Sequence, residues 1–290
     1  FYKKMGFGFG TKMNQYSIKP KNLPKDGLKD RVSFFRDEEK QLLLDCYARI
    51  AERTNGMVDR SEAELNNTLI VPQNKIAVYK RDGKVEGYAV FMFKKASQDN
   101  AMKNDIIVKE FLYENTEALR AILTFFSTQE DQINSIVFNT LDEDFHHMLV
   151  DPRNGTDNIL TSVYHESNLQ GVGVMYRVTD PRLAFEALKE HNFNGQSCRL
   201  KLHINDTLIK ENNGSIIVHF RGGKAELTDV DEFEAEIYLD IADFSSLLVG
   251  AVSLKSLIKY GIARISDNKY TEVADNIFRM PEKPICLALF

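Results

Sequence analysis

The chain's stock of groups for metal or acid–base chemistry includes six histidines, three cysteines and 42 acidic residues, so the first question is which of them the spacing brings together. The densest cluster is Asp142-Glu143-Asp144 followed by His146-His147. A structural zinc takes about four ligands converging at roughly 2 Å, whereas neighbouring histidines on a helix point to different sides. Acids ahead of a helix start are what the macrodipole favours. The expectation is a helix entry and no metal. His165 and His191 stand alone, and His203 and His219 fall in strand-like stretches where they can face each other as ordinary sheet histidines. The acidic run from Asp229 to Glu236 reads as a solvated turn. Cys46, Cys198 and Cys286 show no C-x-x-C spacing and read as buried small apolar residues. Gly6-Phe7-Gly8-Phe9-Gly10 is a glycine string without the strand-to-helix context of a phosphate cradle, and neither a Walker-type loop nor a serine nucleophile elbow occurs.

The elements that must position these groups follow from periodicity. Phe1 to Arg31, with Pro20 and Pro24, reads as a turn, a strand and a linker too short to bury a core alone. Leu42, Leu43, Cys46, Tyr47 and Ile50 recur at helix spacing, and Ser61-Glu62-Ala63-Glu64 opens a second helix with a capping box. Lys75–Lys80 and Val85–Phe93 flank Asp82-Gly83, a hairpin signal because that pair supplies the positive φ a tight reversal needs. A strand over Asp105–Phe111, a helix through Ala118–Phe126, a strand over Ile133–Asn139, a helix start at Phe145–Leu149 and a strand over Gly173–Val178 complete a mixed α/β order with one sheet. After a short helix over Pro181–Glu190, a meander is expected from Leu200–Ile204, Ser215–Phe220, Lys224–Thr228 and Glu234–Leu239. Helices at Phe244–Val249 and Leu254–Tyr260 and an apolar tail then close a small α+β domain.

Composition narrows the function classes. The 290 residues suit about two domains, and 43% hydrophobic with 27% charged residues is ordinary for a folded chain. A formal charge of −5 provides no field for nucleic acid. No apolar run reaches the roughly 18–20 residues of a membrane span, and no cleavable signal pattern opens the chain. A cytoplasmic protein is expected. The first residue is Phe rather than Met, so either something was removed or this is part of a longer chain.

Phe1-Tyr2-Lys3-Lys4-Met5-Gly6-Phe7 resembles the segment that closes the acetyl-CoA-binding half of GNAT-superfamily N-acetyltransferases. The stretch Val108–Leu112 through Leu119–Phe126, with Gln132 and Met175–Val178, resembles the second, degenerate GNAT domain of the enhanced intracellular survival family. Val178 to Phe290 resembles that family's sterol-carrier-protein-like domain. The resemblance implies a GNAT-like mixed-sheet domain followed by a sterol-carrier-protein-like α+β domain. It implies residues 1–32 as the end of a first, catalytic GNAT domain whose cofactor core lies upstream, 33–176 as the degenerate one and 177–290 as the last.

The implied activity is acetyl transfer from acetyl-CoA to a primary amine of aminoglycoside, polyamine or lysine type, without a metal, in a homo-oligomer that the family forms as a hexamer. By resemblance Tyr2 is the general acid and the carboxyl-terminal carboxylate, on Phe290, the general base. A phenol of pKa near ~10 is protonated at neutral pH and can protonate a leaving thiolate of pKa ~8.5. Lys4 sits where a cation can approach the cofactor phosphates. In the middle domain the strand-to-helix junction reads Phe111-Leu-Tyr-Glu-Asn-Thr-Glu117, without glycine and with two acids, so no diphosphate is expected there. The competing expectations are an apolar-ligand module of sterol-carrier type, which needs an open apolar tunnel, and a purely structural scaffold.

Overall fold

The computed structural model describes residues 1–96, 103–156, 159–160 and 164–287, and Phe290 lies outside them. The chain forms two compact units, Phe1–Thr11 with Val172–Pro284, and Lys12–Gly171 with Ile285–Phe290. The opening segment is thus shared between the units, divided after Thr11.

In chain order a 3-10 turn (Tyr2–Met5) precedes strands β1 (Gly8–Phe9), β2 (Met13–Ile18) and β3 (Val32–Phe34). Helices α1 (Lys40–Ala51) and α2 (Glu62–Thr68) follow, then β4 (Lys75–Arg81), β5 (Lys84–Lys95), β6 (Asn104–Tyr113), α3 (Thr116–Ser127) and β7 (Ile133–Thr140). Four short strands come next, β8 (Ile159–Leu160), β9 (Tyr164–His165), β10 (Asn168–Gly171) and β11 (Met175–Tyr176). The remainder is α4 (Pro181–Ala187), β12 (Cys198–Asn205), β13 (Gly214–Arg221), β14 (Lys224–Thr228), β15 (Ala235–Asp240), α5 (Ile241–Leu248), α6 (Leu254–Lys259), β16 (Arg264–Ile265) and α7 (Thr271–Phe278).

The unit of Lys12–Gly171 is built on a seven-stranded sheet in the order β10-β2-β7-β6-β5-β4-β3. Its strands β4 and β5 are buried on both faces, which is why they read as continuous apolar runs rather than as alternation. Ala77, Tyr79, Ala89 and Phe91 face a core shared with Ile122 and Phe126 of α3. Ile76, Val78, Val85, Tyr88 and Val90 face Leu43, Tyr47 and Leu65 of α1 and α2, and Leu287 of the tail packs against this second cluster. The hairpin turns on Asp82 and Gly83, both at positive φ (51° and 77°). The Ser61 hydroxyl accepts from the Glu64 N–H at 3.2 Å, making the expected α2 cap. Strands β6 and β7 are the parallel pair, joined through α3 as a crossover unit requires.

Inside this unit Arg60 and Glu110 form a bidentate ion pair at 2.6 and 2.7 Å, with both side chains almost wholly buried. The Tyr88 hydroxyl donates to the same carboxylate at 2.6 Å, and the guanidinium lies 3.9 Å from the Tyr47 ring centroid.

The unit of Phe1–Thr11 and Val172–Pro284 carries a five-stranded sheet, β14-β13-β12-β15-β16. This corrects the expected meander. The chain reverses through β12, β13 and β14 but then crosses back, and β15 pairs parallel to β12, so Leu202 lies beside Ile237. The alternation of β15 puts Ala235, Ile237 and Leu239 into the same core as Leu200 and Leu202, which this placement satisfies. That core is filled by rings: Phe185, Phe193, Phe220, Phe244 and Phe278 are all buried, at neighbouring centroid distances of 5.1–6.2 Å. Five packed rings thus occupy this part of the unit's interior.

Two other expectations change. Gly173–Val178 supplies only the two-residue β11, paired with β1. Phe145–Leu149 is a single 3-10 turn (Phe145–Met148) rather than the start of a longer helix.

Candidate functional site

Tyr2 lies on the opening 3-10 turn, 58% exposed, with its ring edge-on to Phe1 and Phe7 at 5.3 and 6.0 Å. The turn closes with the Gly6 N–H on the Lys3 carbonyl at 3.0 Å, and the positive φ of Gly6, 84°, turns the next peptide so that the Phe7 N–H returns to the Tyr2 carbonyl at 3.2 Å. A side chain at Gly6 would overlap the Arg177 guanidinium, and one at Gly8 would overlap the Ala242 carbonyl and Ser246 of α5. The glycine string thus serves close backbone approach rather than phosphate binding.

The turn is pinned from three directions within its unit. Arg177 Nη1 donates to the Met5 carbonyl, while Nη2 reaches Asp206 Oδ2 at 2.7 Å. Lys3 Nζ lies 2.9 Å from Asp243 Oδ1, and the Thr207 hydroxyl approaches the Lys4 carbonyl at 3.5 Å. Burial alone would raise the Asp206 pKa, but bonds from Asn212, Ile209, Arg177 and Leu208 outweigh it and hold the carboxyl at about 2. Asp243 goes the other way: burial raises it, the Lys3 bond opposes, and Asp240 adds to the rise. Lys4 is exposed, without a carboxylate partner among the described residues. The sequence singles out Tyr2 and Lys4 as candidates but gives no sign of Arg177, Asp206 or Asp243, because these meet the turn from 172 to 240 residues away.

In the other unit the β6–α3 junction has the geometry in which an α/β sheet usually binds ligands. The parallel pairing ends at Val108 with Phe138; beyond it β6 pairs only with β5, and β7 only with β2. The α3 amino terminus does not fit a diphosphate. Asn115 Oδ1 already accepts from the Ala118 N–H at 3.0 Å, and its Nδ2 donates to Glu86. Arg81 is shared between Glu86 and Glu117, while Arg49 and Lys84 are both bound to Glu114. The local cations are therefore spent on carboxylates, and burial of Glu114 is outweighed by Arg49 and Lys84, which lower its pKa. The opening between the strands is occupied by Phe111, 5.9 Å from Phe138 and 5.4 Å from Tyr113.

The remaining candidates resolve into structure. His146 and His147 do not diverge: their rings lie 4.1 Å apart on the 3-10 turn. Among the described residues no three metal-ligating side chains converge. His203 and His219 do not face each other, because His203 lies opposite Ser215 and His219 opposite Arg199. His203 stacks on Tyr238 at 4.2 Å and pairs with Glu236 at 3.0 Å. The acidic run is solvent-exposed as expected, with surface ion pairs from Asp231 to Lys201 and from Glu232 to Arg199. All three cysteines are buried and free. No helix is long and apolar enough to cross a membrane among the described residues.

Comparison with known proteins gives the class. Residues 56–182 match the acetyltransferase (GNAT) domain family, and residues 184–287 match the sterol carrier protein domain family. The chain thus carries a GNAT-fold mixed-sheet domain followed by a sterol-carrier-like domain. No curated protein matches it. Among solved structures, a GCN5-related N-acetyltransferase from Anabaena variabilis superposes with a TM-score of 0.75 at 19% identity, covering all of this chain and 70% of that one. A GCN5-related N-acetyltransferase from Kribbella flavida gives 0.74 at 17%, covering all of this chain and 67% of that one. Eis1 from Mycobacterium abscessus gives 0.72 at 18%, with 100% and 71% covered. These likenesses are of fold.

Proposed function

We propose that the protein is an N-acetyltransferase that moves acetyl from acetyl-CoA to a primary amine. What carries this reading is the succession of an acetyltransferase domain and a sterol carrier domain in one chain, preceded by a turn that offers an exposed tyrosine from a pinned backbone. In the reaction the neutral amine attacks the acetyl carbonyl, the C–S bond breaks, and coenzyme A leaves as a thiolate. Tyr2 donates its phenolic proton to that thiolate, and the base that takes the ammonium proton is the terminal carboxylate, on Phe290. An α-carboxyl has an ordinary pKa near ~3.5, so it needs burial or a relaying water to act as base. Lys4, exposed beside Tyr2, is free to meet cofactor phosphates.

Residues 1–32 belong in this reading to the closing part of the catalytic GNAT domain, and 33–176 to a GNAT-like domain that has lost its cofactor site and serves as scaffold and cleft wall. Residues 177–290 are the sterol-carrier-like domain. The amine is of aminoglycoside, polyamine or lysine type, the protein is cytoplasmic, and it assembles as a homo-oligomer, a hexamer by resemblance. Incubating the intact protein with acetyl-CoA and one representative of each amine class, and following free thiol and acetylated product by mass, tests the reading. Stoichiometric thiol and acetyl-amine supports it; no acetylated amine from any class rejects it.

A further inference from the structure

One feature of the Lys12–Gly171 unit is not used by acetyl transfer. A cleft of about 460 Å³ opens where the 3-10 turn after β7 folds over the sheet edge formed by β2 and β10. Its volume lies in the range of small-molecule sites. The register puts Gln170, Asn14 and Thr140 in one row across the strands and Asn168, Tyr16 and Phe138 in the next but one, all on one face.

The side chains along that face form a chain of hydrogen bonds with a fixed direction. Lys12 Nζ donates to Gln170 Oε1 at 3.1 Å, and Gln170 Nε2 donates to Asn14 Oδ1 at 3.0 Å. From the other end Ser167 donates to Asn168 Oδ1 at 2.7 Å, and Asn168 Nδ2 donates to the same Asn14 oxygen at 2.9 Å. Both branches end on one carbonyl, so the Asn14 carboxamide cannot turn over. Its Nδ2 is left as a donor without an acceptor among the described residues, on a residue only 3% exposed. Tyr16, also 3% exposed, is held by its ring 5.2 Å from Phe145, and its hydroxyl has no described partner. Neither atom is sealed from solvent, so both open onto the cleft and can bond a ligand or water there.

The chemistry of the lining selects the ligand. Among the described residues no lysine or arginine lines the cleft, and Glu143 does, which disfavours an anion. Glu143 is itself already engaged by another group, so it is not an open carboxylate waiting for a cation. What remains are hydrogen-bonding groups: the Asn14 N–H donor, the Tyr16 hydroxyl and the His146 ring nitrogens. Burial first, and then Asp142, raise the Tyr16 phenol's pKa and keep it protonated. We propose that this cleft is a binding site for a neutral saccharide, whose hydroxyls accept from Asn14 Nδ2 and exchange hydrogen bonds with Tyr16 and His146.

The site is independent of the acetyltransferase reading, so its test needs no activity. Ligand-observed NMR on the intact protein, with D-glucose and maltose as probes and D-glucosamine, spermidine and inorganic phosphate as charged competitors, reads it directly. A saturable saccharide signal with Kd near or below about 1 mM is expected. Asn14→Asp, which keeps the shape but removes the donor, and His146→Ala should each weaken it by roughly tenfold, or about 1.4 kcal/mol. An unchanged unfolding midpoint in His146→Ala separates lost binding from lost fold. The proposal is overturned if neither sugar saturates, if binding survives both variants, if only the charged competitors bind, or if the cleft holds water alone.

Discussion

Arg177 grips the Met5 carbonyl with one guanidinium nitrogen and the Asp206 carboxylate with the other, the latter at 2.7 Å with both side chains buried. One residue thereby fixes the backbone of the turn that carries Tyr2. Removing one member of a buried pair leaves the other charge uncompensated. Asp206→Asn should therefore cost about 3–5 kcal/mol of stability in denaturant unfolding.

The same carboxylate makes stability depend on acid. Its folded pKa, about 2, lies below the ordinary aspartate value, so its contribution is fully present above that ordinary value. It is lost as pH falls from about 4 toward 2, and amounts to roughly 2–3 kcal/mol. Unfolding free energies measured across that window should fall more steeply for the wild type than for Asp206→Asn.

Gly8 is needed for space rather than for conformation. Gly8→Ala would push a methyl group into the Ala242 carbonyl of α5, and overpacking against backbone costs about 1–3 kcal/mol. A midpoint equal to wild type would show that β1 can move away from α5.

In the other unit Arg60 and Glu110 should behave as a pair. Glu110→Leu alone strands a buried guanidinium, and about 3–5 kcal/mol should be lost. The double variant Arg60→Met with Glu110→Leu should recover most of it, because matched apolar groups replace a buried ion pair at little net cost. Additive losses in a double-mutant cycle would contradict the coupling.

Burial pushes the thiols of Cys46 and Cys198 up to about 12 and 11, with Glu114 and Glu234 adding to the rise. Thiolate is the reactive form. Neither cysteine should be alkylated in the native protein at pH 8, and both should react once it is unfolded.

Local signals were legible in the sequence where the chain contacts itself nearby. The Asp82-Gly83 reversal, the Ser61 cap and the periodicity of α1 and α3 correspond to observed elements. Pairings set by distant residues were not. β10 joins β2 across about 154 residues, so the polar cleft has no local signature, and the return of β15 to β12 depends on a core that only forms once both strands are present. Tyr2 was legible only through its motif. The groups pinning its turn are single residues in otherwise ordinary stretches, and neither charge nor spacing marks them.

The role proposed for Tyr2 is protonation of the leaving thiolate. It is tested most directly by steady-state kinetics of Tyr2→Phe in the intact protein. The side chain is largely exposed and meets Phe1 and Phe7 edge-on, so loss of the hydroxyl should leave the unfolding midpoint unmoved. A fall in kcat of about a hundredfold or more is expected, with KM for the amine little changed. Wild-type kcat in a folded Tyr2→Phe protein would contradict it.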